Sequence, residues 1–207
     1  MSQRLIQRYK DGERMNHWFI AIMFFLAALS GLAFFHPSLF FFSQLFGGGP
    51  WARILHPFLG VLMVVGFLGL FFRLWRQNLI GAQDREWRRH AGRMLRGDKA
   101  GMPPAGQYNY GQKLVFWLMA LSLLVLVVTG FMFWRPWFAP YFSIGFMRVA
   151  VLLHAIAAVV LVLTVIVHVY AAIWVKGTMR AMTRGTVTES WARLNHPQWH
   201  EEVSKSR

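Results

Sequence analysis

A chain of 207 residues that is 56% apolar yet carries a formal charge of +14 must alternate apolar stretches with basic ones. That excludes both an ordinary soluble domain and a disordered basic tail. Its 22 basic residues are scattered between long uncharged runs, which fits loops facing anionic lipid headgroups better than nucleic acid. Cysteine is absent, so any redox centre rests on histidine, methionine or oxygen ligands, and thiolate zinc, iron–sulfur and disulfide chemistry is excluded.

A bilayer core needs roughly 20 mainly apolar residues in helical form, and four stretches qualify in chain order. The first covers about 17–35 and carries no formal charge; its histidine and aromatic content and lack of a small-residue cleavage site argue against a signal peptide. The second covers about 54–75, between Arg53 and Arg73, and the third about 114–134, between Lys113 and Arg135. The fourth, about 149–175 between Arg148 and Lys176, exceeds one span, which implies tilt or a protruding end. Residues 76–113 form the long loop and residues 176–207 the C-terminal tail. In residues 84–97 of that loop, Trp87, Ala91, Met94 and Leu95 recur at helical spacing among Arg85, Arg88, Arg89, Arg93 and Arg96. This predicts a short amphipathic helix on the membrane surface, ended by Pro103 and Pro104. The other connections are aromatic-rich, as in 40–42 and 134–141, and suit headgroup depth. The predicted fold is a single-domain, all-α integral membrane protein: a four-helix transmembrane bundle with one short amphipathic helix on the cytoplasmic side.

Orientation follows from Lys and Arg. Four lie before the first span, nine between Arg73 and Lys113 and six from Lys176 onward, against only Arg53, Arg135 and Arg148 in the remaining connections. By the positive-inside bias, the long loop and both termini are cytoplasmic.

Ionisable residues within spans default to a functional reading. Four of the eight histidines fall there: His17, His56, His154 and His168. His154 and His168 are 14 residues apart, about 21 Å along a helix and roughly 40° around it. With the orientation above, His56 and His154 share the outer depth, and His17 and His168 the cytoplasmic depth. Two stacked imidazole pairs result, the arrangement that six-coordinate haem iron needs for one-electron transfer. Gly31 lies 14 residues after His17 on nearly the same face, where it would let the outer macrocycle approach the backbone. A zinc or copper site is the competing reading of the same imidazoles. No Asp or Glu falls inside a predicted span, which argues against a proton-coupled transporter built on acidic relays. His36, His90, His196 and His200 lie in loops or tails and read as solvated or interfacial.

Several segments carry a resemblance. They are Asn16-His17-Trp18, Arg53-Ile54-Leu55-His56-Pro57-Phe58-Leu59-Gly60, Asn109-Tyr110-Gly111-Gln112-Lys113, Trp134-Arg135-Pro136-Trp137-Phe138-Ala139, Leu153-His154-Ala155 and His168-Val169-Tyr170. Together they resemble the gamma-subunit family of membrane-bound formate dehydrogenases, which are di-haem b556 cytochromes; the likeness covers nearly the whole chain. The resemblance implies two haem b groups, the outer on His56 with His154 and the inner on His17 with His168, agreeing with the depth pairing. It implies a quinone pocket at Asn109, Gly111 and Gln112, with menaquinone as acceptor. It also implies an iron–sulfur beta subunit and a molybdenum- or tungsten-containing alpha subunit on the outer side of the bacterial inner membrane. The chain would then be the electron-transfer and quinone-reducing subunit, not the formate-oxidising one. For that pocket, Asn109 and Gln112 can donate to a quinone carbonyl and Gly111 permits close approach; the competing reading is that Asn-Tyr-Gly-Gln only caps the third span. The alternatives are the di-haem cytochrome b of a membrane-bound hydrogenase, a cofactor-free membrane anchor and a histidine-lined metal transporter.

Overall fold

The computed structural model describes residues 4–90, 92–93 and 103–205. In chain order the elements are β1 (Leu5–Gln7), α1 (Asp11–Phe35), α2 (Gly49–Leu74), α3 (Ala82–Arg89), α4 (Tyr110–Phe133), α5 (Ile144–Trp174), α6 (Thr178–Arg184), β2 (Thr186–Thr188), α7 (Glu189–Asn195) and α8 (Pro197–Lys205). Helices α1, α2, α4 and α5 are long and apolar enough to cross a membrane. The shortest of them, α4 at 24 residues, rises about 36 Å against a hydrocarbon core of about 30 Å. The predicted helical membrane bundle is what forms.

Each spanning helix begins several residues before its predicted apolar window, because the helical ladder continues through its first turn into the flanking residues. In α1 that turn carries Asp11 and Glu13, favourable against the N-terminal dipole. In α2 it holds Pro50, whose missing N–H has no helical partner to lose there. A 3₁₀ segment, Pro37–Phe46, joins α1 to α2, and the His36 side chain accepts from the Ser38 N–H to cap it. Gly47 and Gly48 then turn the chain at φ 86° and 97°, a conformation glycine adopts without strain.

The chain packs as two compact units. One comprises residues 15–72 and 118–167, the greater part of the four long helices. Its core joins Ala27 of α1, Met63 and Phe67 of α2, Leu123 of α4 and Leu161 of α5. Small residues allow close helix approach where lipid gives no hydrophobic drive for association. A Cβ at Gly66 would stand 3.0 Å from Phe19 and Ile20, and the Gly66 carbonyl accepts from Asn16 Nδ2 at 2.9 Å. Large residues such as Ile22, Val65, Leu121 and Leu163 are exposed, as lipid-facing positions of a bundle are.

The other unit takes the described residues up to Arg14, those from Arg73 to Trp117 and those from His168 onward. Here β1 and β2 pair antiparallel, Leu5 with Thr188 and Ile6 with Val187, a small strand pair that adds to the predicted all-helical fold. Ile6, Ala181, Val187, Trp191, Ala192 and Trp199 form its core. The turn into β2 needs Gly185, at φ 76°, because a Cβ there would meet the Tyr9 carbonyl oxygen at 2.8 Å. Helix α3 occupies part of the predicted amphipathic stretch; Ala91, Met94, Leu95, Arg96 and Gly97 lie outside the described residues. Asp84 of α3 is buried, accepting from the Gly81 N–H and from Lys113 Nζ, each at 2.7 Å.

Candidate functional site

Helices α1, α2, α4 and α5 converge on one histidine pair. His56 of α2 and His154 of α5 face each other with ring centroids 6.2 Å apart and planes at 66°. The neighbours of each ring decide its protonation pattern. His56 Nδ1 lies 2.9 Å from Ser30 Oγ and 3.1 Å from the Ala27 carbonyl oxygen. A carbonyl only accepts, so Nδ1 carries the proton and donates. Ser30 sends its own hydroxyl proton back to the Leu26 or Ala27 carbonyl, at 2.8 and 3.0 Å, the common back-bond of a serine within a helix. Its oxygen is then an acceptor for His56.

His154 repeats the pattern. Its Nδ1 is 3.0 Å from Thr129 Oγ1 of α4, and the Thr129 hydroxyl donates to the Val125 carbonyl at 2.6 Å. With Nδ1 as donor in both rings, Nε2 is the lone-pair nitrogen of each, the form in which histidine binds metal.

A glycine lies under each ring. A Cβ at Gly31 would be 3.0 Å from His56 Cε1, and one at Gly130 would be 3.4 Å from His154 Cε1. Gly31 was expected to admit a macrocycle; in the structure its open face is taken by the imidazole. Phe133 closes the edge of His154 at 5.2 Å between ring centres.

The donor set would fit a haem: two facing neutral imidazoles, ring centres 6.2 Å apart and Nδ1–H groups held by acceptors, would leave each Nε2 free to hold an iron that supplies one-electron transfer.

His17 lies near the start of α1 and His168 near the end of α5, one in each compact unit. Along α1, His17, Ile20, Phe24, Ala27 and Gly31 recur at spacings of three and four, as do Ala150, His154, Ala157, Leu161, Thr164 and His168 along α5. The predicted ligand His17 on α1, and His154 and His168 on α5, thus share a helix face with core residues.

Asn109 and Gln112 form a reciprocal cap on α4. The Asn109 N–H donates to Gln112 Oε1 at 2.9 Å, and the Gln112 N–H donates to Asn109 Oδ1 at 3.0 Å. The capping alternative is therefore realised. It also orients both amides: with their oxygens engaged, the NH₂ groups are the atoms left to meet a ligand. Asn109 lines a cleft of about 260 Å³ together with Gln77, Gln83, Asp84, Tyr108 and Lys113. Gly111 and Gln112 do not line it; a Cβ at Gly111 would sit 3.4 Å from Asn109 Oδ1.

One histidine expectation is overturned. His196 is not solvated: it is 2% exposed, and its Nδ1 meets the Gly106 carbonyl at 2.8 Å. Burial, and secondarily the charge of Arg8, push its pKa down to about 4. Arg8 is itself buried, its guanidinium carbon 4.5 Å from the Trp199 ring centre and 5.4 Å from that of Trp191, while it donates to the Gln107 carbonyl. Of the other three, His36 caps a turn, His90 bonds the Glu86 carbonyl and His200 lies 3.3 Å from Glu189. That hydrogen bond is the main reason the Glu189 carboxyl sits below the usual range.

Ser30, Thr129 and Gly130 were missed in the sequence. Their only signal is a hydroxyl residue followed by glycine inside an apolar span, at Ser30-Gly31 and again at Thr129-Gly130.

A profile of the family described as prokaryotic cytochrome b561 matches residues 8–185. The formate dehydrogenase cytochrome b556(fdo) subunit of Escherichia coli K12 is 47% identical over 201 residues, 97% of this chain and 94% of that protein. The nitrate-inducible formate dehydrogenase cytochrome b556(Fdn) subunit of the same strain is 39% identical over 98% of this chain and 94% of its own length. The formate dehydrogenase cytochrome b556 subunit of Haemophilus influenzae is 38% identical over 98% of this chain and 85% of its own length.

Proposed function

The chain belongs to the prokaryotic cytochrome b561 family, and from that premise we propose that it is the membrane cytochrome b subunit of a formate dehydrogenase, passing electrons to menaquinone. Membership of a cytochrome b family implies haem b. Bound between two imidazoles, haem iron supplies reversible one-electron transfer with no open coordination position. Four helices long and apolar enough to cross a membrane make the chain a multi-pass membrane protein.

The observation that carries the reading is the facing pair His56 and His154, with centroid spacing and tautomers suited to axial ligation. These two would hold the outer haem b, and His17 with His168 the inner one, paired by their depth along α1 and α5. The asymmetry of basic residues, 19 against 3, favours both termini in the cytoplasm and the membrane as the bacterial inner membrane. The names of the relatives, each a subunit of a formate dehydrogenase, support further subunits of such a complex as partners; an iron–sulfur subunit and a molybdenum- or tungsten-containing subunit on the outer side are what the sequence resemblance implies.

At the cytoplasmic end, Asn109 and Gln112 would offer their NH₂ groups to a quinone carbonyl, and Gly111 leaves the backbone beside them accessible. The polar cleft beside Asn109 would admit water to supply the protons that quinone reduction consumes. Electrons moving inward oppose the membrane potential, about 2.3 kcal/mol per charge per 100 mV for full crossing. The favourable donor–acceptor difference must exceed that.

The test is a dithionite-reduced minus oxidised spectrum of the detergent-purified protein, with haem quantified per chain, on the native chain and on His154→Ala. The proposal expects a low-spin b-type spectrum at about two haems per chain and loss of one in the variant. Retention of both in His154→Ala sinks the ligand assignment. Co-purification with a hydrogenase, rather than a formate dehydrogenase, would reassign the partner.

A further inference from the structure

We infer that Ser30 and Thr129 are positioning residues that set the donor strength of the His56–His154 axial pair, and through it the redox potential of the outer haem. The inference rests on the reading of those two histidines as axial ligands.

Both hydroxyls are buried, Ser30 at 0% and Thr129 at 5% exposure. Each has given its proton to a carbonyl of its own helix, so toward the imidazole it can only accept. Accepting from Nδ1–H does two things. It holds the ring in the tautomer whose Nε2 lone pair is available, and it raises the basicity of that nitrogen. Each ring has a hydroxyl acceptor from a neighbouring helix, Ser30 for His56 and Thr129 for His154, and His56 has in addition the Ala27 carbonyl.

Glycine follows each hydroxyl residue and gives the ring edge room, at 3.0 Å from a would-be Cβ in one case and 3.4 Å in the other. The same dipeptide device thus occurs on two different helices, each serving one of the two facing rings. A more basic imidazole favours the oxidised, more positively charged iron, so the hydroxyls hold the outer haem at a lower potential than bare imidazoles would. No proton moves: Nδ1–H is held by acceptors that are carbonyls or hydroxyls whose own protons are committed.

The experiment uses the full chain with Ser30→Ala, Thr129→Val, the conservative Ser30→Thr and Thr129→Ser, and His154→Ala as reference. The readouts are haem per chain and a potentiometric titration followed by haem absorbance. Ser30→Ala and Thr129→Val should each shift one midpoint potential upward and leave the other in place, with the conservative variants returning it. Loss of one haem in the apolar variants, restored in the conservative ones, supports the same role. Unchanged potentials and occupancy in both apolar variants, while His154→Ala loses a haem, would overturn the inference and leave the ligand assignment standing. If His154→Ala keeps both haems, the axial reading falls first and this inference with it.

Discussion

If His56 and His154 hold a haem as proposed, replacing Gly31 by alanine should cost the protein that haem far more readily than the matching change at Gly130. The magnitude comes from the space beside each ring. A methyl at Gly31 would lie 3.0 Å from His56 Cε1, whereas carbon atoms in contact settle at about 3.5–4.0 Å. The ring must therefore retreat by about 0.5–1 Å. It cannot do so freely, because its Nδ1 is tied to Ser30 and Ala27 on the same helix, at 2.9 and 3.1 Å. Retreat stretches both bonds beyond useful hydrogen-bond length. Overpacking of this kind costs about 1–3 kcal/mol, and disturbing the groups that orient a metal ligand weakens binding by about 10–100-fold. At Gly130 the contact would be 3.4 Å, so a shift of a few tenths of an ångström suffices and haem retention should stay close to that of the native chain. The assay is haem per chain, by reduced-pyridine absorbance, through successive washes in detergent, with the potential of each haem titrated in parallel. Gly31→Ala keeping both haems with unshifted potentials, or Gly130→Ala proving the more damaging, would refute the reasoning. A loss of thermal stability with intact haem would make Gly31 a packing residue only.

Gln112→Glu and Asn109→Asp keep the oxygen that caps α4 but remove the amide donor; they should leave both haems in place and slow menaquinone reduction at least severalfold, and native quinone kinetics in both would confine the two residues to capping. His196 has a folded-state pKa near 4 against an ordinary 6.5, so the unfolded state takes up its proton first. Its contribution, at most about 3 kcal/mol, is present above pH 6.5 and is lost as pH falls from there toward 4. Limited proteolysis of α7 and α8 across that range should show protection declining with acid, and His196→Asn should flatten the decline; an identical profile in the variant would contradict the assignment. Lys113→Met leaves Asp84 buried with no cation, which should destabilise the unit holding them by about 3–5 kcal/mol. Adding Asp84→Asn should recover most of the loss in thermal melts, and failure of that recovery would mean that Lys113 acts through something other than the pair.

The four spans were legible in the sequence because lipid imposes a length and a composition that no other environment demands. The facing of His56 and His154 was legible for a related reason: an imidazole in an apolar span is rare enough for its depth to carry meaning. The groups around His56 and His154 were not, because a serine or threonine that bonds back to its own helix is compatible with any span. Only the angle between helices shows that Ser30 and Thr129 reach a neighbour's ring. Gly31 was noticed on its helix face, but spacing along one helix could not show that the nearest object would be the histidine of another. His196 failed for a different reason. A histidine in a basic tail is by default solvated, and it is buried here because β1 and β2 bring Arg8, Trp191 and Trp199 together from sequence positions nearly 200 residues apart. Six paired strand residues give no periodicity that could announce them. The capping pair at Asn109 and Gln112 was read in both of its senses, and the structure realises the cap. The cap engages the two amide oxygens and leaves donation as the chemistry each amide nitrogen could offer, so a pair that begins a helix is not thereby barred from meeting a ligand.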